Sequence, residues 1–355
     1  MQKDQSRKVK IGTKFSGDGH PTFFIAEIGN NHNGDYFLAK KCIEEAAKSG
    51  ADAVKFQKRF LDEVFTKEMQ NQPQVKDQIY GKTYGEYRKN LELNKEDFTK
   101  LKKIAEDLGL IFFATPFDKK SVDFLEDIGV EIYKIASFDN TNIPLLEYVA
   151  SKGKPIILSA GMSALEEIDL AVATILKQND QLILMHCVSV YPTPDEKLNL
   201  LTVPFLKERF LALPVGYSGH EQDILPSISS VVLGANVIER HFTLDKNLPG
   251  PDHATVSLEP DAFKEMVVSI RRIEKALGIS EKVLYEDEKK ARDKHTKSIV
   301  SKFPIKAGTV VTEDMLVFKS PGHGFKPYEL DKVVGKKINV DVPEDTVIMK
   351  EFISQ

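Results

Sequence analysis

Between residue 23 and about residue 277, short apolar runs alternate with longer amphipathic ones, eight times over. The apolar runs are FFIAEIG (23–29), ADAVKFQ (51–57), LIFFATP (110–116), EIYKIAS (131–137), PIILSAG (155–161), LILMHCV (182–188), PVGYSG (214–219) and VIERHFT (237–243). Each is rich in branched or aromatic residues and ends in polar or glycine punctuation, the pattern of a strand buried on both faces. Runs such as AKKCIEEAAKSG (39–50), KEDFTKLKKIAEDLG (95–109) and SALEEIDLAVATILKQ (163–178) read as the intervening helices. Eight such repeats predict an α/β fold, a (β/α)8 TIM barrel rather than an open sheet. The barrel is assigned to residues 1–278, a charged linker to 279–297, and a small β-rich domain to 298–355. That last piece is too small to bury much by itself. The stretch 58–94 is too long for a simple connector. Following a strand, it belongs at the catalytic face, as a lid or a disordered loop.

Composition narrows the function. Lys+Arg number 49 against 53 Asp+Glu, a net charge of −4, so no broad basic field exists for nucleic acid or an anionic membrane. No apolar run approaches the ~18 residues of a membrane helix. The polar opening MQKDQSRKVK argues against a signal peptide, and a cytoplasmic location is expected. Cys42 and Cys187 lie in apolar patterns and read as buried free thiols. No G-x-G-x-x-G, P-loop or G-x-S-x-G motif is present, which removes the best support for dinucleotide, NTPase and serine-hydrolase readings.

In a barrel, chemistry gathers where the strands end. Glu27, Lys55, Gln57, Thr115, Lys134, Ser137, Ser159, Tyr191, Ser218, His220, Glu239 and His241 all fall at or just beyond such ends. A lysine inside an apolar strand is costly to bury without a counter-charge. Lys55 and Lys134 together point to an anionic ligand, a phosphate or carboxylate; internal ion pairs such as Lys55 with Glu27 are the alternative. His220 and His241 end adjacent strands, and two imidazoles with oxygen ligands suit a divalent cation, unless the histidines are structural. His32 in GNNHNG is a further candidate, although that run also suits a plain turn.

The motifs FIAEIGNNHNGD, GADAVKFQK, FFATPFD, YKIASFDNTNIPLL, ILSAGM, HCVSVYPTP, GYSGHE, GANVIERHFTLD and PGPDH resemble, in order, those of the N-acetylneuraminate (sialic acid) synthases. From SIVSKFPIKAGTVVTEDML to VGKKINVDVPEDT the tail resembles the antifreeze-like, or SAF, domain that ends these enzymes. The resemblance implies a metal-dependent condensation of phosphoenolpyruvate with open-chain N-acetylmannosamine, its 6-phosphate or a related N-acylated amino sugar. It also implies a domain-swapped homodimer. Under it His220 and His241 hold Mn²⁺ or Mg²⁺, and Glu27 is the catalytic carboxylate. Lys55, Lys134, Ser137, Ser159 and Ser218 form the phosphoenolpyruvate pocket; Thr115, at the end of the third strand, is a further substrate-binding candidate. Gln57, Tyr191 and Asp252 contact the sugar, and Glu239 orients the metal site.

Several positions depart from the bacterial pattern. Asp139 stands where a glutamate is usual, Ser189 where an asparagine precedes Y-P-T-P, and Ser320 where the small domain offers an arginine. The far end of the sugar must then be held differently, and GKTYGEYRK (81–89) offers Lys82 or Arg88 for a 6-phosphate. Synthases of legionaminic, pseudaminic or KDN type remain open, as does a non-catalytic carbohydrate binder.

Overall fold

The computed structural model of the chain describes residues 8–354; the first seven residues of the polar opening lie outside it. Two compact units divide after Gly278. In the first, a hairpin of β1 (Val9–Ile11) and β2 (Lys14–Ser16) precedes eight strands. These are β3 (Phe23–Gly29), β4 (Ala53–Lys58), β5 (Ile111–Pro116), β6 (Tyr133–Ile135), β7 (Ile156–Ser159), β8 (Leu182–Cys187), β9 (Val215–Gly219) and β10 (Val237–His241). All run parallel in sequence order, and β10 pairs with β3 to close the barrel that the alternation predicts.

The two-residue period of a strand decides what faces where. Outward residues such as Phe24, Ala26, Ile28, Val54 and Phe56 pack on the helices Tyr36–Lys48 and Lys95–Asp107 in one large core. Phe98 meets the rings of Phe56 and Phe112 edge-on, and each such buried side chain contributes about 1.5–3 kcal/mol. The inward residues change character along each strand. Phe23 and Ile25 lead to Glu27, Ala53 to Lys55 and Gln57, Ile132 to Lys134, Ile157 to Ser159, and Val237 to Glu239 and His241. The apolar members form a second, interior core, and Val9 and Ile11 of the hairpin join it. The barrel is therefore filled and apolar at its N-terminal end, and all its interior polar groups are gathered at the other.

Helix starts are set by side-chain caps: Asp35, Asn94 and Asp118 each accept a backbone N–H of the first turn. Each such cap contributes roughly 1 kcal/mol. Residues 58–94 are ordered into short helices, Leu61–Val64, Lys67–Gln70 and Tyr84–Asn90, the last begun by a reciprocal Thr83–Glu86 capping box. No helix among the described residues is long and apolar enough to cross a membrane.

The second unit runs from Ile279. The segment read as a linker contains a helix, Glu286–His295, with no buried residue. Strands β11 (Ser298–Ser301) and β12 (Leu316–Lys319) pair antiparallel. The unit has a core of its own, with Ile299, Ile305, Val311, Phe325, Val333, Ile338 and Ile348 buried together. The Ser320 hydroxyl donates to the His295 carbonyl at 3.0 Å, within the same unit.

Candidate active site

A cavity of about 480 Å³ lies at the C-terminal ends of the barrel strands, large enough for two small substrates. Its wall includes Glu27, Lys55, Gln57, Thr115, Lys134, Ser137, Ser159, Tyr191, Ser218, His220, Glu239, His241 and Asp252. Thirteen of the fifteen substrate, catalytic and metal candidates that the sequence offers thus meet in one place, because the strands' inward polar positions converge there.

Its floor carries a buried four-charge cluster. Lys55 Nζ is 2.7 Å from Glu27 Oε2 and 3.9 Å from Glu239 Oε1, and it donates to Thr115 Oγ1 at 3.1 Å. Lys134 Nζ donates to Ser159 Oγ at 2.5 Å and to the Ile135 carbonyl at 3.1 Å, with Glu239 Oε1 at 3.9 Å. The Lys55–Glu27 ion pair that the sequence offers as an alternative is thus formed, and both lysines also line the cavity. Burial lowers the pKa of Lys134. Burial also raises that of Glu27, helped by the like charge of Glu239 and opposed by Lys55. Gln57 Nε2 donates to Glu27 Oε1 at 2.9 Å and fixes the carboxylate plane. Gly29, at φ +54°, lies so close that a Cβ there would sit 3.2 Å from both Glu27 Oε1 and Gln57 Nε2.

His220 and His241 stand with ring centroids 5.4 Å apart, and Tyr191 stacks 4.2 Å from His220. His220 Nδ1 is 2.9 Å from the Val188 carbonyl, which fixes its tautomer and leaves Nε2 for the cavity. His241 Nδ1 is buried with no hydrogen-bond partner. Burial and the neighbouring His220 hold the pKa of His241 well below the usual value, so its imidazole stays neutral. A fully buried ion pair, Arg240 Nη1 to Glu221 Oε1 at 2.8 Å, ties the turn bearing His220 to the strand bearing His241. Among the described residues no third His, Cys, Asp or Glu converges on them to complete a protein-only metal cage. Two neutral-capable imidazoles, one with an orphaned nitrogen, fit a divalent cation whose other positions are open to water or substrate.

Two candidates are placed elsewhere. Lys82 is exposed and does not line the cavity: it precedes the helix, and its backbone N–H donates to Glu86 Oε2 at 2.9 Å. The helix instead brings Tyr84 and Arg88, one turn apart, to the wall. Asp139 ends the turn Ser137–Asp139, whose first two residues face the cavity while Asp139 is buried behind them, accepting from Asn142 Nδ2 at 3.1 Å. His32 is also off the wall; its Nδ1 accepts the Gly34 N–H at 3.1 Å and closes the turn. Residues that the sequence reading passed over do line it, among them Asn30, Arg59, Phe117, Phe138, Met162 and Cys187. Arg59 continues the alternate-residue row of Lys55 and Gln57 one residue beyond the strand. Cys42 and Cys187 are both buried and free.

Burial raises the Asp139 pKa to about 6. A raised carboxyl pKa stabilises the fold below the unfolded value, near 4, and that contribution is lost as pH rises through 6. The unfolding free energy of Asp139→Asn, relative to the parent, should therefore improve by about 2 kcal/mol between pH 4 and pH 7. Denaturant titrations at the two pH values measure it; an unchanged difference would show that Asp139 is ionised without penalty.

The NeuB family model matches residues 42–282, and the SAF domain model matches residues 296–354. An uncharacterised protein of Methanocaldococcus jannaschii is 46% identical over 343 residues, covering 96% of this chain and 97% of that one. The N-acetylneuraminate-9-phosphate synthase of Homo sapiens is 39% identical over 341 residues, covering 96% and 95%. The crystal structure of the N-acetylneuraminic acid (sialic acid) synthetase from Leptospira borgpetersenii, in complex with citrate, matches with a TM-score of 0.70 at 36% identity, covering 81% of this chain and 95% of that one. With the family model spanning most of the barrel and the relatives aligned along nearly the whole length, the chain belongs to the NeuB family and ends in a SAF domain.

Proposed function

We propose that this chain condenses phosphoenolpyruvate with the open-chain aldehyde of an N-acylated amino sugar, N-acetylmannosamine or its 6-phosphate, to give a nonulosonic acid and phosphate. The observation that carries this reading is the pairing, in one cavity, of the buried cations Lys55 and Lys134 with Glu27 and two facing imidazoles. In the reaction a bond forms from phosphoenolpyruvate C3 to the aldehyde carbon, the oxygen of a water ends on C2, and inorganic phosphate leaves. Lys55 and Lys134, with Ser137, Ser159 and Ser218, bind the phosphate and carboxylate charge and the charge that develops on C2 substituents. Glu27, held by Gln57, takes or returns a proton at its carboxylate near the aldehyde and the water. Gln57, Tyr191 and Asp252 position the sugar. A divalent cation, Mn²⁺ or Mg²⁺, held by His220 and His241 would supply Lewis acidity toward the aldehyde oxygen. Glu239, receiving the Ser218 hydroxyl at 3.2 Å, orients this corner.

The test is phosphate release from phosphoenolpyruvate with N-acetylmannosamine, its 6-phosphate and mannose 6-phosphate, with Mn²⁺ and after chelation. Sugar-dependent release that chelation stops is expected; no release with any hexosamine would overturn the reading. The reading includes a cytoplasmic location and a homodimer in which each SAF unit covers the partner's barrel mouth. Phe138, Met162 and Tyr191 line the cavity yet are 55%, 63% and 45% exposed, an apolar rim that suits such a cover. Light scattering should give twice the chain mass, and a monomer at micromolar concentration would remove the dimer.

A further inference from the structure

Lys55 and Gln57 share the inward face of β4, and the same row continues one residue past the strand to Arg59. At ~3.3 Å per residue, the Arg59 Cα stands roughly 13 Å along the wall from that of Lys55. Arg59 is 5% exposed, and the one carboxylate within 4 Å of it among the described residues is shared with a second cation. Its Nη2 donates to Gln57 Oε1, and its guanidinium lies over the Phe117 ring, 4.5 Å from the centroid. Glu92 is its carboxylate neighbour, with Oε1 3.7 Å from Arg59 Nε. The other oxygen of Glu92 is taken by Lys58 Nζ at 2.9 Å. Nη1 of Arg59 is buried with no partner, a costly state for a charged donor unless a ligand satisfies it. Burial lowers its pKa only to about 10, so the group stays a cation at neutral pH.

Arg88 lines the same cavity, close enough for its charge to act on Arg59. Its Nε donates to Tyr84 Oη at 3.0 Å, and it lies over the rings of Tyr84 and Tyr87. Among the described residues no carboxylate comes within 4 Å of it. Asp252 also lines the cavity; burial raises its pKa, opposed by the charges of Arg88, His220 and Arg59, and it forms no ion pair within 4 Å of either arginine. Two guanidinium forks at one end of a cavity match a phosphoryl dianion better than a single carboxylate.

We propose that Arg59 and Arg88 form a second anion subsite, at the end of the cavity away from Lys55 and Lys134, which binds a phosphoryl group on the far carbon of the acceptor sugar. This rests on the synthase reading for the identity of the sugar. Isothermal titration of the full chain with N-acetylmannosamine and with its 6-phosphate tests it, using the parent, Arg59→Gln and Arg88→Gln. The parent should bind the 6-phosphate roughly 10- to 100-fold more tightly, and each variant should cut that preference about tenfold. If Arg59→Gln does not fold, Arg88→Gln, on a short and partly exposed helix, decides the matter by the same tenfold criterion. A parent that binds neither sugar or shows no preference, or a preference that survives in the folded variants, would overturn the subsite. Turnover measured on the same samples separates the two claims: a preference that depends on the arginines, without turnover of either sugar, would sustain the subsite and refute the synthase reading.

Discussion

Replacing Glu27 by glutamine should lower turnover by about 10²–10⁴, the usual contribution of a positioned acid or base, while phosphoenolpyruvate still binds. Glutamine keeps the size of the side chain and can still meet Gln57, so the wall should not collapse. What disappears is the ability to take or hold a proton near the aldehyde. The charge balance also shifts. Lys55 loses its partner at 2.7 Å and keeps only Glu239 at 3.9 Å, which leaves it freer for an anion. Affinity for phosphoenolpyruvate should therefore be equal or tighter, whereas a merely structural Glu27 would lose affinity and turnover together. Steady-state kinetics and calorimetry on the same preparation separate these outcomes. A loss of turnover below tenfold would remove Glu27 from the chemistry.

His220→Ala and His241→Ala should each reduce turnover at least as far, below about one part in a thousand, with the fold intact. Both rings line the cavity at strand ends, and the apolar barrel core lies at the other end. Removing either leaves a single imidazole, too few donors to retain a divalent cation at micromolar concentration. Calorimetric Mn²⁺ binding should vanish in both variants alongside activity, and circular dichroism should match the parent. Near-parental turnover in either variant, after chelation and re-addition of Mn²⁺, would show that the two imidazoles do not hold the metal.

The barrel was legible because each buried parallel strand is a short continuous apolar run, and eight of them recur with helices between. The site was legible for a related reason. A charged residue such as Lys55 or Lys134 inside such a run has to face the one polar end of the interior. Legibility failed where that alternation stops. Arg59 sits in the irregular stretch after β4, and its place in the row with Lys55 and Gln57 appears only once the backbone is seen to continue in that direction. Lys82 and Arg88 look equivalent as cations in one loop; a capping box between Thr83 and Glu86 starts the helix between them and decides which one reaches the cavity. Asp139 illustrates a third limit. A 3-10 turn rotates successive side chains through about 120°, so a motif position next to the wall need not face it. The core of the SAF unit was also underrated, because its buried residues are scattered through loops and short strands and carry no period.

The most direct measurement is mass spectrometry of the product formed from phosphoenolpyruvate labelled with ¹³C at all three carbons, N-acetylmannosamine or its 6-phosphate, and Mn²⁺. The proposed reaction predicts one new acid that carries all three labelled carbons joined to the intact sugar skeleton, with one phosphate released from phosphoenolpyruvate for each molecule formed. Labelled pyruvate released beside unchanged sugar, or no labelled acid at all with any N-acylated hexosamine, would contradict it.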